Sequence, residues 1–178
     1  MTIEYRLFKE QDISELSILY IDSWLRTYKN IIPDGFLETL NYDMAEKKWI
    51  KFLKEEKDSF AYVAIDKTND KEVICGLSIC KRDDELEYSG LLYSLHVQNG
   101  YKGKGIGKNL IKVSAKHFKD HLNLNSLLLW VVDGNANALA VYTKLGAKVL
   151  KHQIEVYYSN IETHETCLIW ENTDQLLN

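Results

Sequence analysis

The 178-residue sequence contains one proline, Pro33. No proline-rich linker or polyproline segment therefore divides the chain, and there is no internal repeat or low-complexity stretch. Cysteine is also scarce: Cys75, Cys80 and Cys167 are odd in number and show no C-x-x-C spacing. That argues against a disulfide framework or a zinc site and for three reduced thiols. Long apolar runs are missing as well. "LLLWVV" at 127–132 falls far short of the ~20 residues that cross a bilayer as a helix. A basic surplus is absent too, with 22 Lys and Arg against 26 Asp and Glu and a net charge of -4, which argues against a general nucleic-acid binder. The opening "MTIEYRLFKEQD" carries charges where a secretion signal needs an apolar segment. A cytoplasmic protein with neither nucleic acid nor membrane as partner is expected.

The chain has 46% hydrophobic and 27% charged residues, the balance of a soluble domain long enough to bury a sizeable core. "IEYRLF" reads as a strand. Asp12, with Glu15 three residues on, reads as the N-cap and capping-box partner of a helix carrying Ile13, Leu16, Leu19, Tyr20 and Trp24 on one face. After "NIIPDG" come a short helix at 34–40 and a longer one at about 44–56, opened by Asp43 and carrying Trp49, Ile50 and Leu53. "SFAYVAID", "KEVICGLSIC" and "ELEYSGLLYSLHV", separated by "TND" and "RDD", read as an antiparallel meander. A further helix runs to about 119, with Ile106, Leu110, Val113 and His117 on one stripe and Ile111, Ala115 and Phe118 on the next. "SLLLWVV" is a buried strand and "NANALAVYTKLG" a helix ended by Gly146 at C′. Strands at 147–157 and 163–171 close the chain. The order β-α-α-α-β-β-β-α-β-α-β-β predicts a mixed α/β fold, a central sheet covered by helices.

One stretch carries chemistry. "NGYKGKGIGKNL" at 99–110 places Gly100, Gly103, Gly105 and Gly107 among Lys102, Lys104 and Lys108, between a strand and a helix. The first N–H groups of a helix have no internal partner, and the helix dipole adds positive potential there. Glycines let the backbone turn those groups toward a ligand and let the ligand approach. A phosphate or pyrophosphate is the expected guest. Two familiar nucleotide loops do not fit. Ile106 and Gly107 stand where a P-loop needs Lys and Ser or Thr, and Lys108 stands where a dinucleotide loop needs its third glycine.

"KGKGIG", Lys102 to Gly107, resembles the [R/Q]-x-x-G-x-[G/A] loop of the GCN5-related N-acetyltransferases, with Lys102 in place of Arg or Gln. The resemblance extends over nearly the whole chain, through "LLYSLHVQNGYKGKGIGKNLI" and "LWVVDGNANALAVYTKLGAKV". It implies a single acetyltransferase domain over 1–178, with a mostly antiparallel twisted sheet. The activity it implies is transfer of acetyl from acetyl-coenzyme A to a primary amine, on a small molecule or a protein, without a metal. It places the cofactor pyrophosphate on Lys102, Gly103, Lys104, Gly105, Ile106, Gly107 and Lys108, and the pantetheine arm along the backbone of Leu95, His96 and Val97. Tyr142 becomes the general acid that protonates the departing thiolate; as a bare sequence feature it is equally a core residue of its helix. Asn135 has two roles open, helix N-cap and hydrogen-bond partner of the pantetheine arm. Trp24 and Tyr28 become walls of the acceptor pocket, with core packing the other reading for Trp24.

The general base is where the chain departs from the family. Leu91 occupies the position of the usual strand glutamate, which leaves Glu87, Tyr93 and His96 as candidates, or water. Leu91 also keeps open a non-catalytic acyl-coenzyme A sensor on the same fold. "EKKWIKFLKEEK" reads as a solvated helix face. The strand at 163–171 is expected to be an exposed edge that suits a homodimer.

Overall fold

The computed structural model describes residues 1–68, 72–157 and 161–177. Strand β1 (Ile3–Leu7) leads through a 3-10 turn at Glu10–Asp12 into helix α1 (Ile13–Thr27). Helices α2 (Asp34–Leu37) and α3 (Tyr42–Glu55) follow, then strands β2 (Phe60–Asp66), β3 (Val73–Arg82) and β4 (Ser89–Val97). A 3-10 turn at Asn99–Tyr101 precedes α4 (Ile106–Leu122). The chain then forms β5 (Ser126–Val132), α5 (Ala136–Lys144), β6 (Lys148–Tyr157), β7 (Ile161–Trp170) and a short α6 (Asp174–Leu177). The expected order is present, with α6 added. The "TND" turn lies partly outside the described residues.

The seven strands form one sheet in the order β1-β2-β3-β4-β5-β7-β6. Every neighbouring pair is antiparallel except β4 with β5. That parallel pair is short: Ser89, Gly90 and Leu91 match Ser126, Leu127 and Leu128, and the register ends there. A bulge in β4 accompanies the parting, since Cys80 pairs with Leu92 but Ile79 with Ser94, leaving Tyr93 between them. Bulges bend a strand and re-aim its side chains. Beyond Leu91 the two strands diverge and leave a cleft at the centre of the sheet.

Helices cover both faces. On one side Leu16 and Tyr20 of α1 and Trp49 and Phe52 of α3 pack on Leu77 and Ile79 of β3. On the other, Ile111, Ala115 and Phe118 of α4 meet Leu92, Leu127 and Leu129. The helical period predicts this face, although Val113 and His117 lie at its half-buried border. The α4 face comes so close to β4 that a Cβ added at Gly90 would lie 2.5 Å from the Phe118 ring.

Three expectations are corrected. Asp12 does not cap α1 through its side chain; its carboxylate takes two bonds from Arg6, at 2.7 and 2.9 Å, and one from the Lys9 N–H at 2.8 Å. A buried carboxylate gains more from a guanidinium fork than from one amide, so Asp12 ties β1 to α1 instead. Asn41, not Asp43, opens α3, accepting from the Met44 N–H at 3.0 Å. The segment at 163–171 is not an edge: β7 lies between β5 and β6. The sheet's edges are β1 and β6, and on β6 Val149, Ile154 and Val156 are exposed.

Overpacking a tight helix–sheet contact costs roughly 1–3 kcal/mol. Gly90→Ala is therefore expected to lower unfolding stability in urea by about that amount. Stability equal to the parent would show that α4 does not press on β4 at this point.

Candidate functional site

The cleft between β4 and β5 has a volume of about 1010 Å³. Its walls come from α1, the diverging strands, the glycine stretch, α5 and the inner residues of β6 and β7. All the site residues expected from sequence line it except Lys104. Lys104 holds its Nζ 5.0 Å from the Tyr101 ring centroid.

The glycine stretch forms the mouth. Gly103 and Gly105 have φ of 75° and 80°, the left-handed region, and Gly105 is the N-cap of the 17-residue α4. Open space surrounds both Cβ positions, so backbone conformation rather than crowding calls for glycine there. Gly105 brings no side-chain cap, so the N–H groups of Ile106, Gly107 and Lys108 stand at the head of α4 without an intrahelical partner. The Ile106 side chain is core, so only its backbone serves the loop. Lys102 and Lys108 are exposed beside it. This arrangement fits a pyrophosphate.

On β4, Leu95, His96 and Val97 pair with β3 on one side and face the gap on the other. The His96 ring turns toward α1, where its Nδ1 lies 2.7 Å from Ser23 Oγ and its face meets Tyr20. Burial, with the Lys102 and Lys48 charges adding to it, lowers the imidazole to about 3. A neutral, packed ring is not a base poised near neutrality. Glu87 is exposed and does not line the cleft. Tyr93 lines it but leans on Phe52, at 4.9 Å between centroids. Leu91 is 8% exposed and packs with Leu128, Cys167 and Ile169.

Tyr142 touches both the core and the cleft. Its ring packs edge-on to Trp170 at 6.2 Å, and it also lines the cleft. Burial, and then the charge of Tyr28, push its hydroxyl well above the ordinary value of 10.0, so the phenol stays protonated. Asn135 accepts from the Ala138 N–H at 3.3 Å, capping α5, and its side chain also hydrogen-bonds Tyr28. Burial raises the Tyr28 hydroxyl, with the Asn135 bond opposing and the Glu165 charge assisting. The rings of Trp24 and Tyr28 lie tilted to each other with centroids 4.4 Å apart, and Trp24 also meets Tyr20 and Phe36, so Trp24 both lines the cleft and packs among aromatic neighbours.

Two residues escaped the sequence reading. Glu165 of β7, 4% exposed, lines the cleft and accepts from Gln153 Nε2 at 3.2 Å. Lys48 of α3 belongs to the stretch read as a solvated face, yet its Nζ lies 4.5 Å from the centroid of the Trp49 ring. Its position beside the buried Ala45, Trp49 and Phe52 stripe was the available signal. Among the described residues no group of three His, Cys, Asp or Glu side chains could hold a metal ion.

The state of His96 has a consequence for stability. Between about 3 and its ordinary 6.5, the unfolded chain binds a proton on this ring and the folded chain does not. Its contribution to stability is therefore full above pH 6.5 and falls as pH drops, by up to about 1.4 kcal/mol per unit. His96→Gln is expected to show a shallower loss than the parent in urea unfolding from about pH 6.5 to 4. Identical slopes would mean the ring titrates freely in the folded chain.

The profile of the "Acetyltransferase (GNAT) family" matches residues 20–147. Over 176 residues the chain is 26% identical to an uncharacterized N-acetyltransferase, YuaI, of Bacillus subtilis (strain 168), covering 98% of this chain and 96% of that protein. The PaiA N-acetyltransferase of Thermoplasma acidophilum, solved in complex with coenzyme A, superposes with a TM-score of 0.68 at 20% identity, over 93% of this chain and 98% of that one. Mutant forms of the spermidine/spermine N-acetyltransferase SpeG of Vibrio cholerae superpose with a TM-score of 0.70 at 18% identity, over 98% and 96%.

Proposed function

The chain belongs to the acetyltransferase (GNAT) family, and from that premise we propose how its cleft divides the work. The protein is an acetyl-coenzyme A-dependent N-acetyltransferase. The observation that carries the finer reading is the glycine loop at the head of α4, opening into the β4–β5 cleft beside Tyr142.

Acetyl-coenzyme A supplies the acetyl group as an activated thioester. The N–H groups of Ile106, Gly107 and Lys108, with the charges of Lys102 and Lys108, hold its pyrophosphate. Gly103 and Gly105 supply the turn. The β4 backbone at Leu95, His96 and Val97 holds the arm, and one of its N–H groups faces the oxyanion. Asn135 fixes the start of α5 and offers its remaining amide hydrogen to the arm. Tyr142 gives its proton to the departing sulfur.

An amine arrives protonated and must lose a proton before attack. Glu165, a carboxylate in the cleft wall beside Tyr28, is the group assigned to take it. Leu91 packs with Leu128, Cys167 and Ile169 at the cleft wall, and Glu165 takes the role that its position lacks. That removes the one feature that favoured a non-catalytic sensor. The acceptor is a primary amine carried by a small molecule or by a protein, with Trp24 and Tyr28 against its stem and Glu165 and Glu155 drawing its charge.

The whole of 1–178 acts as a single domain. Three buried free thiols, Cys75, Cys80 and Cys167, suit the reducing cytoplasm, and among the described residues no helix is long and apolar enough to cross a membrane. A homodimer would use the β6 edge. Antiparallel pairing about Gln153 would set Lys151 opposite Glu155 and Leu150 opposite Val156.

Thermal unfolding with acetyl-coenzyme A, coenzyme A, ATP and NAD, followed by turnover with spermidine and a panel of amines, tests this reading. At about 100 times its dissociation constant, a ligand adds roughly 2.7 kcal/mol. The coenzyme A pair alone should raise the melting temperature, and Gly105→Glu should abolish the rise. Tyr142→Phe and Glu165→Gln should keep it while lowering kcat on the order of 10²-fold. An equal rise with ATP or NAD, or unchanged turnover in both variants, would contradict the assignment.

A further inference from the structure

Lys48 differs from every other lysine that lines the cleft. Lys81 is held between Glu56 and Asp84, at 3.2 and 2.7 Å. Lys151 pairs with Glu85, and both lysines have raised proton affinity as a result. Lys102 and Lys108 belong to the glycine loop, and Lys144 ends α5 on an exposed turn. Lys48 enters from α3 and is exposed to solvent. Its Nζ rests over three rings, 4.5 Å from the centroid of Trp49, 5.4 Å from that of Tyr20 and 5.5 Å from that of Tyr93. Its one hydrogen bond among the described residues goes to the Tyr20 hydroxyl, at 3.4 Å.

The rings place this amine close to the reaction. Tyr93 belongs to β4, two residues before Leu95, and the Tyr20 ring lies 5.3 Å from that of His96. The nitrogen is thus one aromatic layer from the strand that flanks the thioester. Aromatic faces favour the ammonium form, but here loss of water outweighs them, and Lys48 falls to about 8. At that value a larger share of the amine is neutral near neutral pH than in a lysine at the ordinary 10.5. Only the neutral amine attacks a thioester.

We propose that Lys48 is a self-acetylation site: its ε-amine takes an acetyl group from acetyl-coenzyme A bound in the same chain's cleft. This rests on the acetyltransferase reading above. Lys48 Nζ forms a bond to the thioester carbonyl carbon and the carbon–sulfur bond breaks. Coenzyme A leaves as the free thiol with the proton that Tyr142 delivers, and the proton shed by the new amide replenishes Tyr142 through water. The product is a neutral amide among Tyr20, Trp49 and Tyr93, on the wall where the acceptor enters. The cleft loses a positive charge and gains bulk, so the modified chain should accept external amines less readily.

The test is peptide mass spectrometry of the intact protein after timed incubation with acetyl-coenzyme A alone, alongside thermal unfolding with coenzyme A. Acetylation at Lys48 is expected at least about tenfold faster than at lysines outside the cleft, with a rate per molecule that does not change on dilution. Tyr142→Phe should slow it by about tenfold or more, and Gly105→Glu should bring it down to the background of the surface lysines. Lys48→Arg should leave the other lysines at their parental level. If coenzyme A stabilises the protein but Lys48 is modified no faster than surface lysines, or only in proportion to protein concentration, the proposal fails and the functional reading stands. If coenzyme A does not stabilise the protein, both fail.

Discussion

β4 and β5 pair only from Ser89 to Leu91 and from Ser126 to Leu128, after which backbone groups of both strands have no strand partner across the gap. Buried backbone N–H and C=O groups need partners, and a sheet that opens at its centre must find them in water or in a ligand. The closed end of the opening is pinned. Ser89 and Ser126 share a hydroxyl hydrogen bond at 2.5 Å, and Ser126 also donates to the Tyr88 carbonyl at 3.2 Å. Gly90 lets Phe118 press against the same point. The β4 bulge at Tyr93 turns the strand away from β5. From this parting follow the cleft, the access of α1 and α5 to it, and the position of the glycine loop at its mouth.

Charge is distributed along the cleft in a way that suits acyl transfer. The mouth is cationic and exposed, as an anion requires. The middle is neutral: His96 and Tyr142 are both kept uncharged by burial. The far wall carries Glu165 and Glu155. The protonated phenol of Tyr142 and the carboxyl group of Glu165 line one cleft, which suits the opposite proton movements proposed for them. Lys48 adds to the cleft wall a lysine of lowered proton affinity.

Much of this was legible where the physics is local. The strand at 126–132, the C′ role of Gly146 and the order of the elements follow from periodicity and caps, which involve residues near in sequence. The glycine loop was legible for the same reason, since positive φ at Gly103 and Gly105 is a property of a few adjacent residues. Long-range pairing was not. Nothing in the 163–171 segment says that it pairs on both sides, with β5 and with β6. Asp12 had the spacing of a cap, but Arg6 reached it from another element. The neighbours of Leu91 at the cleft wall, Leu128 and Cys167, were hidden because they come from other strands. Glu165 and Lys48 were hidden because each looks like an ordinary surface charge until the sheet and α3 bring it to the cleft.

The central claim is that the parting of β4 and β5 and the head of α4 together form one cradle for coenzyme A. Residue-level amide hydrogen exchange with and without coenzyme A tests it directly. The account predicts slowed exchange at Leu95, His96 and Val97 and at Ile106, Gly107 and Lys108, two segments joined only through the cleft. Binding that leaves both segments unchanged and protects amides elsewhere would contradict it.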